Sequence, residues 1–203
     1  MGLISGSASF IRFEVEGELP ENGWDFIADR VTAFSFVDID DGYDEYSIGW
    51  VSILNMFDSS FRYGSYSAGD YVVLALRIDE RKVSPAIVKK CVAKEEERVK
   101  QEREIPKIPR SMRVEIKERI QTELMRKSVP VPVVYDLYWN LTDGIVTFFT
   151  TNKKAHIVLE DFFKESFDLL LKQQIPYIVA EHMLHEDDEG LDRLASFAPE
   201  SFV

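Results

Sequence analysis

Prolines dictate what the middle of this chain can be. Ser84-Pro85 sets a capping residue before a proline at the first helical position, where a missing N–H costs nothing. The spacing predicts a helix from there to about Arg103, with Val88, Val92 and Val99 on one stripe. Residues 105–109 hold two prolines, which cannot sit in a helix interior and so break it. A second helix is predicted over residues 111–127, where Met112, Ile116, Ile120 and Leu124 recur every four residues. Pro130 and Pro132 end it. Two narrow stripes about a proline joint predict a helical hairpin packed stripe on stripe.

The flanks read as strands and single helices. Residues 9–15 alternate, with Ile11, Phe13 and Val15 on one face and charged residues on the other, as in a half-buried strand. Asn22 caps a predicted helix carrying Trp24, Ile27, Val31 and Phe34. Strands are predicted at 46–54 and 71–79, the latter central in the sheet, with a long loop over 55–70. Strands at 133–140 and 145–151 flank Asp143-Gly144, a hairpin signal. A helix over 153–171 and a last strand at 175–180 follow, and the acidic tail after His182 reads as a short helix or frayed chain.

The expected fold is α+β: a mixed or antiparallel sheet with packed helices and a central two-helix basic arm, in the order β-α-β-β-α-α-β-β-α-β. Regular β-α alternation is missing, which argues against a doubly wound parallel sheet. The segments are an N-terminal α+β part (1–80), the arm (81–129), and a hairpin-helix part (130–203) that closes the same fold and ends in the acidic tail.

Cys91 is the single cysteine, so no intramolecular disulfide forms, and its apolar neighbours Ile87, Val88 and Val92 assign it to packing. The N-terminal residues lack the basic region of a signal peptide, and Gly6 stands where a myristoylation signal needs Ser or Thr. The longest apolar strip is short and interrupted by Arg77, so no membrane partner is expected.

The sequence carries no recognisable catalytic motif. Gly64 to Gly69 is neither a nucleophile elbow nor a phosphate loop. Asp38, Asp40 and Asp41 before Gly42 suggest a calcium loop, but the glycine falls one place early, and an acidic turn is the expectation. His182 and His185 among Glu181, Glu186, Asp187 and Asp188 have the layout of a metal site without a third ligand at diagnostic spacing. His156 reads as a helix-surface residue. No enzyme activity, cofactor, metal or small-molecule substrate is expected.

Charge is distributed unevenly. The chain carries −12, yet residues 81–127 hold 15 Lys/Arg against 8 Asp/Glu, a net +7. The segment 1–80 holds 4 against 15 and the segment 128–203 holds 5 against 13, so both flanks repel a polyanion and only the arm attracts one. Lys90, Lys94 and Arg98 are four apart and form one row, and Arg113 and Lys117 another. Lys89, Arg126 and Lys127 complete the residues expected to meet phosphate, while the arm also holds Lys100, Arg103, Lys107, Arg110 and Arg119. The bland reading is a solvated helix pair laced to Glu95, Glu96, Glu97, Glu102, Glu115 and Glu118.

A family resemblance bears on this choice. Gly49-Trp50-Val51, the strand ending Leu74-Ala75-Leu76-Arg77, and Asp79-Glu80-Arg81-Lys82-Val83-Ser84-Pro85-Ala86-Ile87-Val88-Lys89 resemble the recombination-associated RdgC family of bacteria. Leu137-Tyr138-Trp139, Asp143-Gly144-Ile145-Val146, and Asn152-Lys153-Lys154-Ala155 opening a helix with Phe162-Phe163 are similar to the same family, in the same order. The resemblance implies a nucleoid-associated cytoplasmic protein that forms a ring-shaped homodimer around duplex DNA, binds it with little sequence preference, and restrains the RecA recombinase. It implies no enzymatic activity.

The expected function is therefore sequence-nonspecific DNA binding that modulates homologous recombination. Its residues are Lys89, Lys90, Lys94, Arg98, Arg113, Lys117, Arg126 and Lys127, with duplex DNA, a recombinase and a second copy as partners. Two alternatives stand beside it. One is a protein-interaction or dimerisation module built on the same arm. The other is a metal-dependent nuclease using Glu181, His182, His185 and Asp187.

Overall fold

A computed structural model describes residues 2–3, 8–184 and 187–197 of the chain, without the side chain of His182. The chain is α+β, with helices packed on an antiparallel sheet of seven strands. The elements are β1 (Ile11–Glu16), α1 (Gly23–Ala33), β2 (Tyr46–Val51), β3 (Ser67–Ala68), β4 (Tyr71–Arg81), α2 (Pro85–Arg103) and α3 (Arg110–Lys127). There follow β5 (Pro130–Asn140), β6 (Ile145–Phe148), α4 (Lys153–Phe167), β7 (Leu170–Gln173), α5 (Pro176–Met183) and α6 (Asp188–Ser196). The strand order is β2-β4-β5-β6-β1-β7, with β3 beside β4, so β4 is interior, as its apolar residues from Tyr71 to Leu76 led one to expect.

The structure corrects three expectations. Residues 175–180 are not a strand: Pro176 opens α5, and the last described strand is β7, whose first two residues fall in the stretch expected to continue α4. Asp168 takes the left-handed conformation at φ 56 and ends α4 four residues early. His156 is not on the surface. It is 5% exposed, its Nε2 lies 3.0 Å from the Thr150 carbonyl, and its ring packs against Phe13 and Phe148. The expected long loop over 55–70 also contains a single 3-10 turn, Arg62–Gly64, and the short β3.

Contacts divide the chain into two compact units, Met1–Ala33 with Tyr63–Leu74 and Tyr135–Val203, and Phe34–Arg62 with Ala75–Val134. In the first, alternation along β1, β5 and β6 puts Phe13, Leu137, Trp139, Val146 and Phe148 in the core. α4 answers with Leu159, Phe163 and Phe167 at helical spacing, and Trp139 meets the two phenylalanines at 5.2 and 5.5 Å between ring centroids. Asn152 caps α4 by accepting from the Lys154 N–H at 3.0 Å. Arg30 of α1 donates to the Ser166 and Glu165 carbonyls in the last turn of α4, where a cation is favoured. At the β5–β6 hairpin, Gly144 takes φ 64, and the Asn140 Oδ1 accepts from the Thr142 N–H at 3.0 Å.

In the second unit, β2 and β4 pair from Tyr46↔Glu80 to Val51↔Ala75. The chain leaving α1 crosses beside β2, with the Phe36 N–H donating to the Trp50 carbonyl at 3.0 Å and the Trp50 N–H to the Phe34 carbonyl at 2.9 Å. Gly49 lies under that crossing, and a Cβ there would overlap the Phe36 backbone. Gly49→Ala is therefore expected to cost about 1–3 kcal/mol, as overpacking against backbone does. Urea unfolding measures it, and an unchanged midpoint would show that residues 34–36 stand off the strand.

Candidate nucleic-acid interface on the helical arm

α2 and α3 pack against each other as the prolines require. Ser84 precedes Pro85 without a side-chain cap bond, and Glu104 ends α2 at φ 52. Ile108 anchors the turn and is buried, as is Ile116 of α3, whereas α2 buries no side chain fully. The stripe Val88, Val92 and Val99 is half-buried, as are Met112, Ile120 and Leu124. This is a thin apolar seam, and ion pairs reinforce it.

Two adjacent glutamates do the lacing. Glu95 accepts from Arg98 through both carboxylate oxygens, at 2.9 and 2.7 Å, and from Arg119 across the seam. Glu96 accepts from Arg113 Nε at 3.0 Å. The Arg98 hydrogen bonds, followed by those of Arg119, hold the Glu95 carboxyl below its ordinary range. Arg98 also reaches Glu102 at 3.5 Å, Lys100 pairs with Glu97 at 3.2 Å and Lys127 with Glu123 at 2.6 Å. Arg126 lies over the Tyr43 ring at 5.5 Å.

The eight expected residues thus separate. Arg98, Arg113 and Lys127 are engaged by glutamates, and Arg126 by an aromatic ring. Lys89, Lys90, Lys94 and Lys117 make no ion pair among the described residues. Nor do they share one face. Successive helical residues are about 100° apart, so Lys90 and Lys94 lie on one side of α2 and Lys89 on another. Lys89 joins Lys117 and Arg113 at a groove beside the seam. Lys107 and Arg110, which helical spacing alone did not single out, line an adjoining hollow that shares Arg113 and Lys117. Their position in the proline joint was the available signal, because a turn places consecutive cations at a helix end.

The other charged cluster is structural. Alternation along β4 turns Arg77, Asp79 and Arg81 to one face, and all three are buried. The Arg81 guanidinium donates to the carbonyls of Ile39 at 2.6 Å, Gly42 at 3.1 Å and Asp44 at 2.9 Å, and also to Ser128. An arginine thus fills the centre of the acidic turn, and its carbonyls are satisfied without a metal ion. Among the described residues no group of three or more His, Cys, Asp or Glu is arranged for a metal. His185, Glu186 and the His182 side chain lie outside the described residues. No described helix is long and apolar enough to cross a membrane.

No protein-family model matches the chain, and no curated protein does.

Proposed function

We propose that the chain binds duplex DNA without base readout through the cations of the α2–α3 arm, and modulates recombination in the manner the RdgC resemblance implies. The observation that carries this reading is the set of uncompensated cations on one small helix pair. Lys89, Lys90, Lys94 and Lys117 keep their charge unpaired among the described residues, in a chain of net −12. Carboxylates elsewhere repel phosphate, so the arm is the favourable approach. Mobile lysines release condensed counterions on meeting a backbone and read no sequence.

Two such contacts from the Lys90 and Lys94 row, rising to four where Lys89 and Lys117 also engage, predict a log–log salt slope of about −2 to −4 between about 50 and 200 mM salt. Fluorescence anisotropy of two unrelated labelled duplexes measures it. Equal affinities with that slope support the reading, and no binding at the lowest salt rejects it.

A second reading, docking or dimerisation through the arm, is favoured by the thin seam. α2 buries no side chain fully, and Ile87 and Val114 are 50% and 48% exposed. Light scattering with and without duplex separates the two readings.

A further inference from the structure

The groove beside the seam carries more than phosphate contacts need. Its cavity of about 740 Å³ is lined by Val88, Val92 and Ala93, with Val83 and Pro85 at one end. Lys89, Arg113 and Lys117 rim it, and its one carboxylate, Glu96, is taken by Arg113 at 3.0 Å. The adjoining hollow of about 640 Å³ adds Lys107 and Arg110 beside Ile108 and Val114 and has no acidic residue. The lining therefore combines half-buried apolar side chains, Val88 and Val92, as a floor with the more exposed cations Lys89, Arg113 and Lys117 as an edge. A phosphodiester backbone satisfies the edge but has nothing to desolvate the floor, and a duplex rests on projecting cations without filling a cavity. A peptide with both carboxylates and a large apolar side chain matches both parts.

We propose that this groove docks an acidic peptide segment of a protein partner that carries an aromatic or branched aliphatic anchor. The anchor lies on Val88, Val92 and Ala93, and flanking carboxylates meet Lys89 and Lys117. The site is distinct from the Lys90 and Lys94 side of α2, so a partner held here leaves that row open to phosphate. The occupant differs from that of the DNA reading, with which the groove shares Lys89 and Lys117, so Lys90 and Lys94 are the residues that tell the two readings apart.

The test uses the full chain and a fluorescent peptide of consecutive Asp and Glu residues ending in Ile and Phe. The control peptide has Ser in place of both apolar residues. Saturable binding of one peptide per chain is expected, with at least about tenfold weaker binding of the serine control. Ala93→Glu, at an exposed position that leaves the seam intact, should lose the peptide, as should Lys117→Glu. Lys90→Glu with Lys94→Glu should leave peptide binding unchanged. Equal binding of both peptides would reduce the groove to a general polyanion surface and overturn the proposal. So would an Ala93→Glu variant that loses duplex while keeping peptide, which would make nucleic acid the occupant. Absence of peptide binding at low salt overturns it whatever the duplex does, and peptide binding without duplex binding overturns only the DNA reading.

Discussion

Asp79→Ala should destabilise the unit formed by Phe34–Arg62 and Ala75–Val134 by about 3–5 kcal/mol, the cost of leaving a buried charge without its partner. Asp79 is 1% exposed and Arg77 4%. The two join through Nε–Oδ1 at 2.8 Å and Nη2–Oδ2 at 2.6 Å, a bidentate arrangement possible because residues two apart on a strand share a face. Arg77 has little else to fall back on. Its Nη1 donates to the Met56 carbonyl at 3.1 Å, its guanidinium stacks 4.1 Å from the Phe36 ring, and Asp38, at 3.9 Å, is half in solvent. Total stabilities of about 5–15 kcal/mol make a loss of this size a large share of the whole. Replacing both partners, Arg77→Met with Asp79→Leu, should recover most of it, because the desolvation of both charges disappears with them. Urea unfolding followed by Trp fluorescence reads both variants. If the single variant loses under about 1 kcal/mol, water reaches the pair and the core assignment of Arg77 is wrong.

That pair also shows where sequence reading stops. Arg77 read as the interruption of an apolar strip, and the strand was expected to end at Asp79, whereas β4 continues to Arg81 and buries Arg77, Asp79 and Arg81. The period-two spacing of opposite charges was visible, but that the facing surface is closed depends on Phe36 and the turn around Gly42, distant in sequence. The prolines were more informative, since their effect is local: Pro85 opens α2, and the joint before Arg110 separates it from α3. Pro176 carried the same signal as Pro85, but the β-branched residues around it suggested a strand. The end of α4 was hidden because Leu169 to Leu171 extend its apolar pattern while a non-glycine residue, Asp168, makes the left-handed stop. In the arm, sequence spacing gave the cation rows on each helix. It could not say which glutamates take Arg98, Arg113 and Arg119, because two of those contacts cross between helices.

Lys90→Glu with Lys94→Glu should weaken duplex binding about a hundredfold near 0.1 M salt and flatten the salt slope by about two, one for each lost phosphate contact. Both lysines are exposed and unpaired among the described residues, so their reversal leaves the fold within about 0.5 kcal/mol of its original stability. Arg98→Glu should behave differently. Its guanidinium already satisfies Glu95 and Glu102, so reversal adds repulsion within α2 and strains the Glu95–Arg119 link more than it removes a phosphate contact. The expected result is a lower helix-pair stability with a slope changed by less than about one. The remaining ambiguity is net charge, because two reversals make any acidic chain more repellent. Lys153→Glu with Lys154→Glu changes the total by the same amount at the start of α4, in the other unit. Neither lysine belongs to the arm, and salt near 0.1 M weakens whatever net-charge effect they share with it. The α4 variant should therefore bind duplex within about threefold of the parent, with its slope intact. Equal losses in the two double variants would mean that the whole molecule's charge governs binding, and the arm would no longer be its site.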